Sequence, residues 1–346
     1  MSDLEILSMV RNNVKKLTAY STARDEFKGQ ASVFLDANES PFRSDFNRYP
    51  DPHQKELKKV ISEIKGVSIE NIFLGNGSDE AIDLLFRIFC EPGRDRVVTT
   101  QPTYGMYQVS AGINNVAMDA IPLSHDFELS APDILKIVTP TTRIIFLCSP
   151  NNPSGNILNA KEIESIIKGF KGIVAIDEAY IDFVEARSWS ARLAEFPNLV
   201  VLQTLSKAWG LASLRLGMAF AGKSIIELLN KIKPPYNIGG LTQKTAIEIL
   251  STRQADKEVA VAAIKKERKK LVASLQALGI VEKVFPSDAN FILVKVTRPR
   301  HVYDQLMDRG IIVRDRSGVM LCENCLRITV GTPEENNILI EAMSTL

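Results

Sequence analysis

A lysine and an arginine lie in a stretch of sequence that is otherwise largely apolar. The segment TLSKAWGLASLRLG (204–217) follows the apolar run at 199–202, and it contains Ser206, Lys207 and Arg215. Burial and nearby positive charge both favour the neutral form of an amine, which is the nucleophilic form. The segment therefore predicts a reactive lysine, beside an arginine whose charge an anionic ligand would neutralise.

A glycine-rich turn precedes the first clearly predicted helix. The residues GNGSDE (75–80) follow a short apolar run and lead into a helix predicted at 78–89. Glycines allow a ligand to approach the backbone closely, and the free N–H groups at a helix start bind anions. The turn is therefore a candidate phosphate site, although Ser78 or Asp79 acting only as a helix cap is an equally simple interpretation.

Other polar or aromatic residues follow three more apolar runs. Tyr104 follows VVTTQPT, where it would stack on a flat ligand or simply cover the sheet, and Asn152 lies in the loop SPNNPSG, which also reads as a plain turn. Asp177 ends the run GIVAI, and Tyr180 comes three residues later. A buried aspartate is costly unless a cation pairs with it.

The elements that position these residues are short strands alternating with helices. Such alternation predicts an α/β domain with a mostly parallel sheet, in which ligands bind at the carboxyl ends of the strands. The predicted strands lie at 71–74, 96–100, 143–148, 173–176, 199–202 and 218–221, and helices are predicted at 78–89, 160–168 and 191–196.

The pattern changes after the glycine pair at 239–240. A long helical segment at 241–278, broken near Thr252, precedes the strands FILVKV, IIVRD and LRITV, with helices at 300–309 and from Glu334. We therefore expect a large domain at 39–240, a smaller α+β domain at 241–346, and an N-terminal segment at 1–38 that packs with the small domain.

Taken together, the strand ends describe one ligand. It is flat and phosphorylated, it has a cationic ring nitrogen, and it reacts with a lysine. Pyridoxal 5′-phosphate has these properties, because it is held through a lysine and an acidic residue pairs with its ring nitrogen. No G-x-G-x-x-G follows the first predicted strand, which argues against a nicotinamide dehydrogenase.

On these residues the chain resembles the fold-type I pyridoxal-phosphate-dependent enzymes over nearly its whole length. Among them it is similar to the histidinol-phosphate aminotransferases. The shared motifs are NPSG (152–155), DEAY (177–180), SKA (206–208) and LRLG (214–217), and those typical of the narrower group are LTAYSTAR (17–24), LDANESPF (35–42), RYPDP (48–52), GNGSDE (75–80) and LRITVGTPEEN (326–336). The resemblance implies a mostly parallel seven-stranded sheet flanked by helices.

The resemblance also implies roles for individual residues. Lys207 would bind the cofactor covalently and move the proton, and Asp177 would pair with the ring nitrogen. The other expected cofactor ligands are Ser78, Asp79, Ser206 and Arg215 at the phosphate, Tyr104 stacked on the ring, and Asn152 and Tyr180 at the ring oxygen.

The remaining implied roles concern the substrate and a second subunit. Arg314 and Arg327 would bind a substrate phosphate, and Tyr20 would help to close the site. Tyr49 would reach the cofactor phosphate and the substrate from a second subunit, which implies a homodimer with shared active sites. A surface ion pair between Arg314 and Asp315 is the simpler alternative for that arginine.

The implied reaction is transamination of L-histidinol phosphate with 2-oxoglutarate, which yields imidazole-acetol phosphate and glutamate, a step of histidine biosynthesis. Three alternatives stay open: a threonine-phosphate decarboxylase, an aromatic amino-acid aminotransferase, and a non-catalytic pyridoxal-phosphate-binding regulator. The regulator is the weakest, because residues 1–35 are too few and too neutral for a DNA-binding module.

Composition limits the other possibilities. The formal net charge of +1 over 346 residues gives no electrostatic reason to expect nucleic acid or an anionic membrane as a partner. The apolar runs are strand-sized, and the N-terminus reads as an amphipathic helix rather than a signal peptide, so we expect a cytoplasmic protein. Cys322 and Cys325 form a single C-x-x-C, which is weak evidence for a metal, and we expect no metal site.

Overall fold

Two sheets organise the chain. The structure is a computed structural model that describes residues 3–27, 29, 31–42, 44 and 46–346. The larger sheet has seven strands in the order β1-β7-β6-β5-β4-β2-β3, and their bounds are β1 (Ile72–Asn76), β2 (Arg96–Gln101), β3 (Ala117–Pro122), β4 (Thr142–Cys148), β5 (Ile173–Asp177), β6 (Leu199–Thr204) and β7 (Leu216–Ala221).

The large sheet is mostly parallel, as predicted. Strands β3, β2, β4, β5 and β6 pair in parallel, whereas β7 is antiparallel to both of its neighbours, β6 and β1. The carboxyl ends of β4, β5 and β6 therefore lie side by side. In the pairing of β4 with β5, Cys148 is opposite Asp177. This edge collects the residues that follow each strand.

The middle strands are apolar throughout because both of their faces are buried. Val174 and Ile176 of β5 point into one core cluster, whereas Ile173 and Ala175 point into the other. Helices cover both faces of such a sheet, which explains why these strands show no polar alternation.

Thirteen helices lie in the described part of the chain, and α5, which begins at the edge of the cavity, matches its predicted range. Helix α5 begins and ends at the predicted residues, and acidic Asp79 and Glu80 in its first turn complement the helix dipole. The helices are α1 (Asp3–Met9), α2 (Asn12–Lys16), α3 (Ala23–Glu26), α4 (Lys55–Lys65), α5 (Ser78–Phe89), α6 (Met106–Ile113), α7 (Ala131–Lys136), α8 (Ala160–Gly169), α9 (Lys223–Ile232), α10 (Gly240–Thr252), α11 (Gln254–Gln276), α12 (Pro299–Asp308) and α13 (Pro333–Ser344), with 3-10 turns at Ile69–Asn71, Ile181–Phe183, Trp189–Arg192 and Ala212–Leu214.

The small sheet belongs to the C-terminal part of the chain. Its strands are β8 (Val281–Val284), β9 (Phe291–Val296), β10 (Arg314–Asp315) and β11 (Cys325–Thr329), in the antiparallel order β10-β11-β9-β8. Helices α11, α12 and α13 pack on it around their own apolar cluster. Strand β10 is shorter than the predicted strand IIVRD, since residues 311–313 are not paired.

The N-terminal helices pack differently from the prediction. Ile6, Val10 and Val14 are buried in the core of the large sheet domain rather than against the small domain. The N–H group of Arg11 donates to the carbonyl of Ile88 over 2.9 Å, which ties this segment to the end of α5. An apolar face with no partner of its own is buried on the nearest apolar surface, and here that surface is the large domain.

Helix α10 also packs with the large domain, since Ala246 and Leu250 belong to its core cluster. The apolar core of the small domain starts within α11, at Leu271. Within the described part of the chain, no helix combines the length and the apolar character that crossing a membrane requires.

Candidate active site

A cavity of about 440 Å³ lies where the carboxyl ends of β4, β5 and β6 face the small sheet. The structure brings eleven of the predicted site residues together around it. These are Ser78, Asp79, Tyr104, Asn152, Asp177, Tyr180, Ser206, Lys207, Arg215, Arg314 and Arg327. Gly77, Cys148, Ala179, Thr204, Ala212 and Arg316 complete the lining.

Lys207 projects into this cavity from the turn after β6. Its Nζ atom lies 5.7 Å from the centroid of the Tyr180 ring. Burial by the surrounding protein lowers the pKa of the amine, and the positive charges of Arg327 and Arg215 act in the same direction, against Asp177 and Asp79. Although the Lys207 side chain is partly exposed, the apolar stretch around it favours a neutral, nucleophilic amine.

Asp177 is buried at the end of β5. Its Oδ2 atom accepts a hydrogen bond from the hydroxyl of Tyr107 over 2.9 Å, and its Oδ1 atom accepts one from the N–H group of Ala179 over 3.0 Å. Burial raises the pKa of the carboxyl group to about 6, against the effect of these two donors. A cationic nitrogen in the cavity would replace the lost hydration and lower this pKa.

No local pattern in the sequence marks Tyr107 as a residue of this site. Its side chain is fully buried on α6, its ring stacks on Phe146 with centroids 4.9 Å apart, and only its hydroxyl reaches Asp177. In the sequence it is one apolar helical position among several.

The first turn of α5 forms an anion cradle. Gly77 precedes the helix with φ of 78°, and no side chain caps the helix start, so the backbone N–H groups there are available to a ligand. A Cβ atom on Gly77 would come within 2.6 Å of the Arg215 guanidinium. Arg215 itself has a left-handed backbone, with φ of 52°, and its carbonyl accepts a hydrogen bond from the Gly77 N–H group.

A second close approach holds the cradle together. A Cβ atom at Gly217 would lie 2.1 Å from the backbone nitrogen of Ser78, so β7 and the start of α5 are in direct backbone contact. Ser206 adds a hydroxyl from the other side, where it accepts a hydrogen bond from Thr204 over 2.9 Å. A phosphate group fits this arrangement of backbone donors, hydroxyls and one guanidinium.

Tyr104 closes the cavity above the sheet. Its hydroxyl donates to Asp79 over 3.1 Å, and its ring meets Tyr107 edge to face, with centroids 5.6 Å apart. Burial, followed by the charge of Asp79, raises the pKa of the Tyr104 hydroxyl, so it stays protonated. A flat ligand between Tyr104 and the carboxyl ends of the strands would stack on this ring.

Asn152 and Arg327 join the two domains across the cavity. The Arg327 Nη1 atom donates to the Asn152 Oδ1 atom over 2.5 Å, which leaves the Nδ2 group of Asn152 as a donor for a ring oxygen. The Tyr180 ring packs edge to face on Phe291, with centroids 5.1 Å apart, and Arg327 lies 5.2 Å from the same Phe291 ring. Burial lowers the pKa of Arg327.

Tyr49 and Tyr20 do not line this cavity. Tyr49 borders a different cavity of about 770 Å³, where its ring stacks on Tyr236 at 4.5 Å and its N–H group donates to Glu39 over 2.7 Å. Tyr20 is exposed. Their roles at a shared site stay predictions, since a single chain contains one side of any such interface.

The two cysteines of the C-x-x-C pair lie in the apolar core cluster of the large sheet. Cys322 and Cys325 are buried with free thiols, and burial raises the pKa of each thiol to about 12, which makes both poor nucleophiles. Among the described residues, no group of three His, Cys, Asp or Glu side chains is arranged to bind a metal.

The chain matches the family model for class I and II aminotransferases over residues 23–343. The chain belongs to this family. As a class I and II aminotransferase it uses pyridoxal phosphate, and the cavity fits that cofactor, since an uncapped helix start beside Arg215 suits the phosphate and the buried Asp177 suits the ring nitrogen.

Particular aminotransferases and one decarboxylase are also similar. The histidinol-phosphate aminotransferase of Christiangramia forsetii is 53% identical over 348 residues, which cover 100% of this chain and 99% of that protein. The crystal structure of histidinol-phosphate aminotransferase from Sinorhizobium meliloti in complex with pyridoxal-5′-phosphate matches with a TM-score of 0.78 at 24% identity, over 86% of this chain and 82% of that one.

The crystal structure of L-threonine-O-3-phosphate decarboxylase from Porphyromonas gingivalis matches with a TM-score of 0.74 at 22% identity, over 86% of this chain and 90% of that one. Similarity at this level shows a shared fold. The fold therefore does not distinguish a transaminase from a decarboxylase, and the side chains around the substrate have to do so.

Proposed function

We propose that this aminotransferase transfers the amino group of L-histidinol phosphate to 2-oxoglutarate, which gives imidazole-acetol phosphate and glutamate. The observation that carries the proposal is the pair of arginines that the small sheet contributes to the cavity. Arg314 and Arg327 face each other across β10 and β11, and both line the cavity that contains Lys207. Two guanidinium groups at one end of the cavity suit a dianionic phosphate.

In the proposed mechanism the chain's residues perform three tasks. When bound, pyridoxal phosphate supplies an electron sink for the charge left when the Cα–H bond of the amine breaks. Lys207 takes the proton from Cα and delivers it within the cavity, and burial, which lowers the pKa of its amine, favours the neutral form that this task needs. Asp177 holds the ring nitrogen protonated. Tyr180 and Asn152 would bind the ring oxygen, and Tyr104 would stack on the ring.

Ser78, Asp79, Ser206 and Arg215 are proposed to hold the cofactor phosphate, through the cradle described above. The two phosphate groups would then be bound by different domains, the cofactor phosphate by the large domain and the substrate phosphate by the small domain. A substrate that carries both an amine and a phosphate would then present its amine to Lys207.

The distinguishing experiment is product analysis with three substrates. L-histidinol phosphate, L-threonine phosphate and L-phenylalanine are each incubated with the holoenzyme and 2-oxoglutarate. We expect glutamate from L-histidinol phosphate at the highest kcat/KM. Release of CO₂ from threonine phosphate would favour the decarboxylase, and faster turnover of phenylalanine would favour an aromatic aminotransferase. Cofactor binding without turnover of any amine would favour the regulator.

We also propose that the enzyme is a cytoplasmic homodimer in which Tyr49 and Tyr20 complete the partner's site. Free buried thiols fit a reducing compartment. Tyr49 is half exposed beside a wide cavity, whose lining of Arg48, Pro50 and Gly239 suits contact with a second chain.

A mixing experiment tests the shared site. An inactive Lys207→Ala chain is exchanged with an inactive Tyr49→Ala chain, so that one site of the mixed dimer carries both lesions and the other carries neither. We expect partial activity to return. If subunit exchange is verified and no activity returns, Tyr49 does not act across an interface.

A further inference from the structure

Three arginine side chains share one face of the small sheet. Arg314 on β10 is directly opposite Arg327 on β11, and Arg316 continues beside them, because its N–H group donates to the carbonyl of Cys325 over 2.9 Å. Residues two apart along an extended segment point to the same side. All three arginines line the cavity that contains Lys207.

This arrangement is electrostatically unfavourable in the chain alone. Like charges directly across two strands repel each other, and in the described part of the chain no ion pair joins any of the three arginines to a carboxylate. Asp315, between two of them, accepts a hydrogen bond from the N–H group of Ser317 over 2.8 Å instead. The charge imbalance indicates a ligand that supplies negative charge.

Arg316 differs from the other two arginines because one of its nitrogen atoms is buried and unpaired in the described part of the chain. Its Nε atom is buried and has no hydrogen-bond partner among the described residues, whereas Arg314 is exposed. Burial lowers the pKa of Arg316, and the charges of Arg327 and Arg314 lower it further. An unpaired buried N–H group is costly, so a bound acceptor would remove an existing penalty.

Arg316 also lies where two cavities meet. A neighbouring cavity of about 330 Å³ shares Tyr104, Asn152 and Arg316 with the first one. Burial raises the pKa of the Tyr180 hydroxyl, and the positive charges of Arg327 and Arg316 act against that rise. Arg316 therefore lines both cavities, and the second cavity contains none of the cradle residues Ser78, Ser206 and Arg215.

We propose that Arg316 is a specificity-determining residue that binds the anionic group of the substrate as the third guanidinium beside Arg314 and Arg327. This inference rests on the proposed function, because it names a further ligand for the phosphate of the substrate. A phosphate dianion has three oxygens that accept hydrogen bonds, enough for three guanidinium groups, whereas a carboxylate has two. Arg316 should therefore matter more for a phosphorylated amine than for glutamate.

The test compares two variants with a matched surface control in the holoenzyme. Arg316→Gln removes the charge, Arg316→Lys keeps it, and Arg300→Gln removes an exposed arginine paired with Asp304 on α12. For Arg316→Gln we expect kcat/KM for L-histidinol phosphate to fall roughly ten- to a hundredfold, mainly through KM. Unphosphorylated L-histidinol should change less than about threefold. Arg316→Lys should recover part of the loss, and Arg300→Gln should match the unchanged enzyme.

A second measurement is independent of the proposed substrate. Inorganic phosphate is used as a competitive inhibitor of the half-reaction with glutamate, and its inhibition constant should weaken at least tenfold in Arg316→Gln. If the unaltered enzyme prefers another amine to histidinol phosphate, the proposed function fails, while the inhibition constant still tests Arg316. Equal losses for phosphorylated and unphosphorylated amines, or an unchanged inhibition constant for phosphate, would overturn the role of Arg316.

Discussion

On the wall of the cavity formed by the seven-stranded sheet, the two aspartates already have partners. Asp177 accepts two hydrogen bonds, and Asp79 accepts one from Tyr104 and faces Arg215 at 4.0 Å. On the opposite wall, formed by β10 and β11, Arg314 and Arg316 have no ion pair within the described residues. The carboxylates of the first wall are partnered by groups of the chain, whereas the arginines of the second wall lack a counter-charge among the described residues. This difference fits a fixed cofactor facing an exchangeable anionic substrate.

The largest effect should come from the lysine of the sheet wall. Lys207→Ala should lower kcat by roughly 10⁴-fold or more, because no other amine of the described residues lines the cavity. Reduction with borohydride followed by peptide mapping should place the cofactor on Lys207. The exposed lysine variant Lys223→Ala is the control, and label on any other lysine would contradict the assignment.

Asp177→Asn should lower activity by roughly a hundredfold or more, because a neutral amide cannot hold the ring nitrogen protonated, and that loss exceeds a single charge-assisted bond. In the protein without cofactor the same change should be stabilising. The pKa of Asp177 is raised from 3.8 to about 6, so ionisation of this carboxyl costs the folded state stability as the pH rises through that range.

Thermal melts of the cofactor-free protein check this sign. Asp177→Asn should melt about 5 °C above the unaltered protein at pH 8, and the advantage should shrink towards zero as the pH falls to about 4. A variant that is less stable at pH 8 would mean that the carboxylate of Asp177 is itself stabilising. The ionised carboxylate of Asp177 would then need no cationic partner from the cofactor, although it is buried.

Tyr107→Phe tests how far the sheet wall depends on a residue that does not line the cavity. The ring can keep its stacking on Phe146, and only the hydrogen bond to Asp177 is lost. We expect kcat to fall roughly five- to tenfold with little change in KM for the amine. The Tyr107 hydroxyl lowers the pKa of Asp177, so its removal should raise that pKa further. The loss of stability of the cofactor-free protein with rising pH should then extend to a higher pH than in the unaltered protein.

A purely structural role for Tyr107 would leave that pH dependence unmoved. Tyr303→Phe on α12 in the small domain is a matched control for the loss of a tyrosine hydroxyl.

The smallest effect should come from the exposed arginine of the opposite wall. Arg314→Gln should lower kcat/KM for L-histidinol phosphate by roughly three- to tenfold, less than Arg316→Gln, because water and salt screen an exposed charge. Raising the ionic strength should reduce the Arg314 effect more than the Arg316 effect. A larger loss for Arg314→Gln than for Arg316→Gln would contradict the prediction that the half-buried arginine contributes more to substrate binding.

The parts of the site that the sequence predicted are those that follow directly from the ends of buried strands. Asp177, Ser206 and Lys207 lie where apolar runs stop, and helix 78–89 carries an acidic first turn, so local patterns were sufficient. Strand β3 was missed because it is a half-exposed edge strand that ends in Pro122, and it shows no continuous apolar run.

Tyr107 and Arg316 were missed for a different reason. Tyr107 is bonded to an aspartate 70 residues away, and nothing near it in the sequence marks that contact. Arg316 reads as one more surface charge in RDR. Only the pairing of β10 with β11 shows that it lies beside Arg327. Contacts between distant segments depend on tertiary packing, which local propensity does not encode.

The contact between Gly217 and Ser78 also limits how this chain can change over evolutionary time. A side chain at position 217 would push β7 away from the start of α5, because even a methyl carbon would lie 2.1 Å from a backbone nitrogen. No single codon change away from glycine at this position leaves the cradle intact, whereas Gly279 and Gly318 have open space around the same atom. At position 217, mutational tolerance is thus set by backbone proximity and not by the chemistry of the side chain that is introduced.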